Sequence, residues 1–385
     1  MKPFAARLKT VQEYYFSKKL QEVASLLREG KDIVNLGIGN PDLPPPEKVV
    51  EAMQDALQNP SAHQYKSYRG IPELRGAMRD FYQKYFKVRA CSETEILPLM
   101  GSKEGIMHIS MAFLNEGDGV LIPNPGYPTY TSVSKLLQAT PIYYDLDPSK
   151  NWQADLEALS KKDLSQVKLM WLNYPNMPTG APASKNYYNA LIGFAKAHDI
   201  VLINDNPYAF ILNETPLSIL SLEGAKEVAI ELNSLSKTFN MAGWRMGMVL
   251  AKKAFIDAIL KVKSNMDSGM FYPLQMGAVT ALKTELSWLK KQHKIYTKRR
   301  AKIWELLDLM GCDYRKDFGG MFVWAKLNCG MTAEKITDKM LYEYDVFITP
   351  GIVFGSGGKG YIRLSLCVDE SNIEKVINRI KENLL

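Results

Sequence analysis

Val228-Ala229-Ile230-Glu231-Leu232 is a short apolar run, and it leads through Asn233 into Ser234-Leu235-Ser236-Lys237-Thr238-Phe239-Asn240-Met241-Ala242-Gly243-Trp244-Arg245-Met246-Gly247. A brief apolar run bounded by hydroxyl-bearing and glycine residues reads as a strand buried on both faces. Two serines and a lysine therefore emerge where a buried strand ends. In open α/β sheets, ligand sites gather at such strand ends. A lysine there can be desolvated, which lowers its pKa and frees its amine to attack carbonyls. Arg245 adds a planar fork suited to phosphate.

Outward from this stretch, similar apolar runs recur near 96–100, 120–123, 142–144, 168–173, 200–204, 227–233 and 246–250, with segments of helical period between them. The alternation predicts an α/β fold whose large domain has a mostly parallel seven-stranded sheet sandwiched by helices. Leu74, Ala77, Met78, Phe81 and Tyr85 share one helical face behind the start signal Pro72-Glu73. Further helices are expected at 185–198 and 286–310. Beyond 310 the pattern shortens to strands near 321–327, 346–349 and 361–366, with helices near 332–344 and 370–384. That is a second, smaller α/β domain. The turn Pro41-Asp42-Leu43-Pro44-Pro45-Pro46 cannot continue a helix or a central strand, so it marks a crossing between units or a plain surface loop. The expected division is 1–44 for an N-terminal arm and part of the small domain, 45–285 for the large domain and 286–385 for the C-terminal small domain.

The 385 residues are 46% hydrophobic and 23% charged, the mixture of a soluble globular chain, which excludes disordered, collagen-like and fibrous readings. The net charge of +7 comes from 48 basic and 41 acidic residues that are interspersed rather than gathered. Nucleic acid binding wants a patch of one sign, so none is expected; the Lys290-Lys291-Gln292-His293-Lys294 cluster reads as a solvated helix face. Cys91, Cys312, Cys329 and Cys367 are far apart and form no metal or disulfide pattern. No apolar stretch is long enough to span a bilayer, and the N-terminus lacks the apolar core of a signal peptide. A cytoplasmic enzyme or binding protein is expected, with no metal and no membrane partner.

Other strand ends carry chemistry too. Asp205, in Val201-Leu202-Ile203-Asn204-Asp205-Asn206-Pro207-Tyr208, follows an apolar strand, where an acid also serves as a turn former or helix cap. Gly101-Ser102-Lys103-Glu104-Gly105 opens a helical pattern after a strand; backbone N–H groups there suit phosphate, or make an ordinary cap. Tyr127, in Asn124-Pro125-Gly126-Tyr127-Pro128, is able to stack on a flat heterocycle or to fill a core. Arg363 sits inside the apolar strand Tyr361-Ile362-Arg363-Leu364, where a buried guanidinium needs a carboxylate partner.

The Lys237 segment resembles the Schiff-base lysine motif of fold-type-I pyridoxal-phosphate enzymes, and most of all class I/II aminotransferases. The resemblance covers about Gly39 to Arg363. It implies pyridoxal 5'-phosphate as cofactor, Lys237 as the catalytic residue, Asp205 on the pyridine nitrogen, Tyr208 on the 3-hydroxyl and Tyr127 stacked on the ring. Ser102, Lys103, Ser234, Ser236 and Arg245 then bind the phosphate side of the cofactor. His63-Gln64-Tyr65-Lys66-Ser67-Tyr68-Arg69-Gly70-Ile71-Pro72-Glu73-Leu74-Arg75 is similar to a family segment whose tyrosine reaches the neighbouring subunit's phosphate, which implies a homodimer and gives Tyr65 that role. Gly39 and Arg363 match the residues that flank and grip the substrate α-carboxylate. Tyr14-Tyr15-Phe16 and 264–271 resemble the LL-diaminopimelate/aspartate aminotransferase branch, which puts Tyr14 and Asn265 near the substrate; the same stretches occur in relatives acting on aspartate, aromatic, alanine or methionine substrates, so the resemblance leaves the substrate open.

One departure stands out in Tyr174-Pro175-Asn176-Met177-Pro178-Thr179-Gly180: Met177 occupies the place of the family's asparagine and cannot donate its hydrogen bond to the cofactor 3-oxygen. Either Tyr208 serves that oxygen alone, or Asn176 or Asn173 reaches it. The expected activity is ping-pong transfer of an amino group between an amino acid and a 2-oxo acid. A C–S β-lyase would keep the same cofactor residues and is the alternative. A transcription regulator on this fold would need an added DNA-binding module, and only about 38 residues precede Gly39.

Overall fold

The computed structural model describes residues 4–13 and 15–383, among which fourteen strands form three sheets. In chain order these are β1 (Val34–Asn35), β2 (Ile96–Leu99), β3 (Gly119–Asn124), β4 (Thr140–Asp147), β5 (Gln153–Ala154), β6 (Val167–Leu172) and β7 (Val201–Asp205). They continue with β8 (Ala229–Ser234), β9 (Gly247–Leu250), β10 (Asp313–Tyr314), β11 (Phe322–Lys326), β12 (Val346–Phe347), β13 (Thr349–Pro350) and β14 (Tyr361–Ser365).

The large sheet has the order β2-β9-β8-β7-β6-β3-β4-β5. From β8 across to β4 all neighbours are parallel, whereas β9 runs against both β2 and β8. The apolar runs arise because alternate residues of one strand feed two different cores. In β6, Met170 and Leu172 point into one core while Leu169 and Trp171 point into the other; in β7, Leu202 and Ile203 divide the same way. Helices Ser102–Phe113 and Lys253–Lys263 close one face through Ile106, Ile109, Ile256 and Ile259. Helices Pro72–Phe86 and Lys185–His198 close the other through Leu74, Met78, Phe81 and Leu191.

The smaller α/β domain is made from both ends of the chain. Its antiparallel sheet has the order β10-β11-β14-β13, and β1, from the N-terminal part, pairs in parallel with β12. Helices Leu286–Leu309, Ala333–Glu343 and Glu370–Asn383 complete it. Arg299, on the first of these, grips Asp42 of the proline-rich turn with both Nη atoms at 2.7 Å. A two-pronged contact of this kind fixes the direction of the turn as well as its position.

The structure corrects the sequence reading at three places. The large sheet has eight strands, because the two-residue β5 adds antiparallel to the edge of β4. The expected strand at 227–233 starts later: Gly224 at φ +72 opens a one-turn helix, Ala225–Val228, ahead of β8. The single strand expected at 346–349 is two, β12 and β13, which belong to different sheets on either side of Ile348.

Candidate active site

β2, β3, β6, β7 and β8 point the same way, so the segments leaving their C-terminal ends meet at one edge of the sheet. A cavity of about 500 Å³ lies there, and one wall comes from the small domain through Phe322, Phe354 and Arg363. Eleven of the residues singled out in the sequence line it: Gly39, Ser102, Lys103, Tyr127, Asp205, Tyr208, Ser234, Ser236, Lys237, Arg245 and Arg363.

At the end of β8, the Ser234 hydroxyl accepts from the Ser236 amide at 3.1 Å and donates to Ser236 Oγ at 2.8 Å, turning the chain so that Lys237 faces inward. Lys237 Nζ donates to the Gly39 carbonyl at 2.6 Å. Burial disfavours the ammonium form and holds this amine below the ordinary lysine range, with Arg363 and Arg245 acting in the same direction. Gly39 is required where it stands, because a Cβ there would collide with the Phe322 ring at Cζ.

Asp205 closes the floor. Tyr130, itself stacked on Trp171 at 4.7 Å, donates to Asp205 Oδ2 at 3.0 Å, while Oδ1 is buried with no hydrogen-bond partner among the described residues. Desolvation pushes this carboxyl up to about 7, against the opposing effect of the Tyr130 bond. A buried carboxylate oxygen left without a partner is expensive. It calls for a donor, and a positively charged ring N–H fits.

Opposite, Gly101 at φ +87 starts the Ser102–Phe113 helix, and the Arg245 guanidinium, through Nη2, fills the space a side chain would need. Arg245 Nη1 donates to the Ala242 carbonyl at 2.9 Å. Two cations, three serine hydroxyls and a helix N-terminus thus share one end of the cavity, a donor set that suits a phosphate. The residues present therefore fit a flat heterocycle carrying a phosphate at one end and a basic nitrogen at the other.

Arg363 lies in β14 with its guanidinium 3.8 Å from the Phe322 ring centre, 4.7 Å from that of Phe354 and 5.4 Å from that of Phe16. Nη2 donates to the Gly37 carbonyl at 2.7 Å and Nη1 to the Met177 sulfur at 3.3 Å. Of the two asparagines considered as stand-ins at the Met177 departure, Asn173 lines the cavity but spends its amide on the Asp205 carbonyl at 2.5 Å and on the Met177 N–H at 2.7 Å. Asn176 is not part of the wall and accepts from Thr179 instead.

Two residues lie elsewhere in the same chain. Tyr65 is 89% exposed, and Asn265 is exposed, with its Nδ2 donating to the Lys261 carbonyl at 2.8 Å. Tyr14 lies outside the described residues. Sequence reasoning gave no role to Tyr130, Phe16, Ile38, Phe322 or Phe354, all of which line the cavity. Only Tyr130 carried a signal, since it follows Tyr127 by three residues on a helix start.

The profile of the family described as aminotransferase class I and II matches residues 31–380. The chain belongs to the class I and II aminotransferases. Members of this family generally depend on pyridoxal phosphate. The LL-diaminopimelate aminotransferase of Aquifex aeolicus (strain VF5) is 38% identical over 381 residues, 98% of each chain. Substrate-bound BacF from Bacillus subtilis superimposes with a TM-score of 0.95 at 35% identity, covering 100% of this chain and 98% of that one. The probable N-succinyldiaminopimelate aminotransferase of Thermus thermophilus gives 0.88 at 30% identity, covering 95% and 99%. This aminotransferase moves an amino group between an amino acid and a 2-oxo acid. No helix among the described residues is long and apolar enough to cross a membrane.

Proposed function

We propose that pyridoxal 5'-phosphate occupies the cavity between Asp205 and the Ser102–Arg245 end, in a cytoplasmic homodimer whose 45–285 domain holds the cofactor. The observation that carries this reading is the partnerless Oδ1 of Asp205 in the same cavity as the desolvated Lys237 amine. Once bound, the cofactor supplies an electron sink for the pair left at the substrate α-carbon.

Asp205 holds the proton on the ring nitrogen, and the cation it faces brings its own pKa back down. Ser102, Lys103, Ser234, Ser236 and Arg245 bind the phosphate, and Tyr127 covers the ring face. Tyr208 is the remaining hydroxyl for the 3-oxygen, because Asn173 is committed and Asn176 is not part of the cavity wall. Arg363, beside Gly39, takes the α-carboxylate of the amino acid. The freed Lys237 Nζ, whose burial disfavours the ammonium form, then removes the α-proton. Tyr65 is exposed on its own chain, in keeping with a role at the neighbouring subunit's phosphate. The proposal for Asn265, that it serves a substrate site, also requires that subunit.

The test is the visible spectrum of the purified protein after incubation with pyridoxal phosphate and removal of the unbound cofactor, with Lys237→Ala alongside. An absorption band present in the wild type and absent in the variant is expected, together with a dimeric mass by light scattering and parallel double-reciprocal lines. A colourless wild type would overturn the reading.

A further inference from the structure

Among the described residues, five charged side chains line the cavity: Lys103, Asp205, Lys237, Arg245 and Arg363. On the reading just given, each is taken by the ring, the phosphate or the α-carboxylate. The rest of the wall next to Arg363 is apolar. Phe16, Phe322 and Phe354 surround its guanidinium, Met177 presents a thioether where the family resemblance expects an amide, and Ile38 and Leu20 extend the same surface outward. Among the described residues there, Ser17 donates to Glu13 Oε1 at 2.8 Å, and Glu13 is exposed and outside the wall.

Near Tyr65, the segment expected to reach a neighbouring site, the cations are also engaged. Lys66 Nζ donates to the Ser61 carbonyl at 2.7 Å, and Arg69 pairs with Asp257 at 3.0 Å. A second carboxylate or ammonium on the substrate side chain would thus be desolvated against phenyl rings and aliphatic carbons with no further charged group among the described residues of the cavity wall, which is costly. An apolar or aromatic side chain would instead gain burial against the same wall.

We propose that the amino donor carries an aromatic or large apolar side chain and no distal charge, with Ile38 and Leu20 as its specificity-determining contacts. The inference rests on the proposed reading of the site. It separates this enzyme from relatives whose names specify diaminopimelate.

Two measurements on the full-length protein test it. By calorimetry, 3-phenylpropanoate should bind and glutarate should bind at least about 100-fold more weakly, the discrimination expected when a site offers no partner for a second charge. Leu20→Asp should weaken 3-phenylpropanoate about tenfold; Leu20 is 40% exposed, so the substitution leaves the fold intact, and Leu20→Ala provides the milder variant. In the enzyme loaded with pyridoxal phosphate, glutarate binding as tightly as 3-phenylpropanoate would overturn the proposal. With the holoenzyme and no oxo acid, L-phenylalanine should bleach the visible band with a second-order rate constant about 100-fold above those of LL-diaminopimelate and L-aspartate. A faster reaction with either diacid would sink the substrate class while leaving the cofactor assignment standing. Absence of any visible band would sink the cofactor assignment and, with it, the substrate class that rests on it.

Discussion

Replacing Asp205 by asparagine keeps the side-chain volume and the acceptor for Tyr130 but removes a charge that the cofactor-free protein holds at a cost. Burial moves this carboxyl from 3.8 to about 7. Below about pH 4, folded and unfolded chains are both protonated at this position and it contributes no pH dependence. Between about 4 and 7 the unfolded chain releases the proton and the folded chain keeps it, so stability falls as pH rises; above about 7 the loss is complete. The span corresponds to about 4 kcal/mol at 1.36 kcal/mol per pKa unit. At about 2.1 cal/mol/K per residue, 385 residues give an unfolding entropy of about 0.8 kcal/mol/K, so the loss amounts to about 5 °C in melting temperature.

Glu231 is a second buried acid pushed up to about 7, but it is common to both proteins, and the difference between wild type and Asp205→Asn cancels it. Differential scanning fluorimetry of the cofactor-free proteins from pH 4 to 8 should show the variant gaining about 5 °C on the wild type across that range. Adding pyridoxal phosphate should flatten the wild-type dependence, because a ring N–H then meets the free oxygen. Turnover by the variant should fall about 10²- to 10³-fold, the usual effect of losing one preorganised charge contact in the transition state. Melting curves that run parallel at every pH would refute the reasoning, since Asp205 would then ionise no differently in the folded and unfolded chains.

Arg363→Lys loses the planar fork and its contact with Phe322, and steady-state kinetics should record a KM for the amino acid raised about 10²-fold with a smaller change in kcat. Gly39→Ala sets a methyl against Phe322; scanning fluorimetry should find a loss of about 1–3 kcal/mol, and kcat/KM should drop at least about tenfold as the carbonyl leaves Lys237. Because desolvation keeps the Lys237 amine neutral below the pH at which surface lysines lose their proton, borohydride trapping with pyridoxal phosphate at pH 8 should label Lys237 first; a peptide map with label spread over many lysines would contradict this.

Much of the large domain was legible because its strands are apolar on both faces, a signal that needs no knowledge of neighbours. The helix at 185–198 was readable for a similar reason: its stripe is long and regular. β5 was not, because two residues carry no periodicity, and the split between β12 and β13 depends on which sheet each half joins. In the site, Lys237 and Asp205 announced themselves as polar residues at the ends of apolar runs. Tyr130 offered only its place three residues after Tyr127, since its bond to Asp205 spans 75 residues. The rings around Arg363 come from residues as distant as Phe16, Phe322 and Phe354, a convergence that only the packing of the N-terminal helix on the small domain creates. Tyr65 and Asn265 were readable as motif members, but a single chain's sequence does not say which copy of a site they serve.

The loop from Gly37 to Gly39 offers two carbonyls, one to Arg363 and one to Lys237. On the reading proposed above, cofactor attachment would draw the amine from the Gly39 carbonyl and docking of an amino acid would draw the guanidinium from the Gly37 carbonyl, which keeps its 2.9 Å bond from Thr349 Oγ1. The loop is in effect a tally of how far the site has been loaded. The chain that follows it runs directly into Asp42, which Arg299 of the Leu286–Leu309 helix grips with both Nη atoms, so the loop that answers to the two cations is itself anchored a few residues downstream.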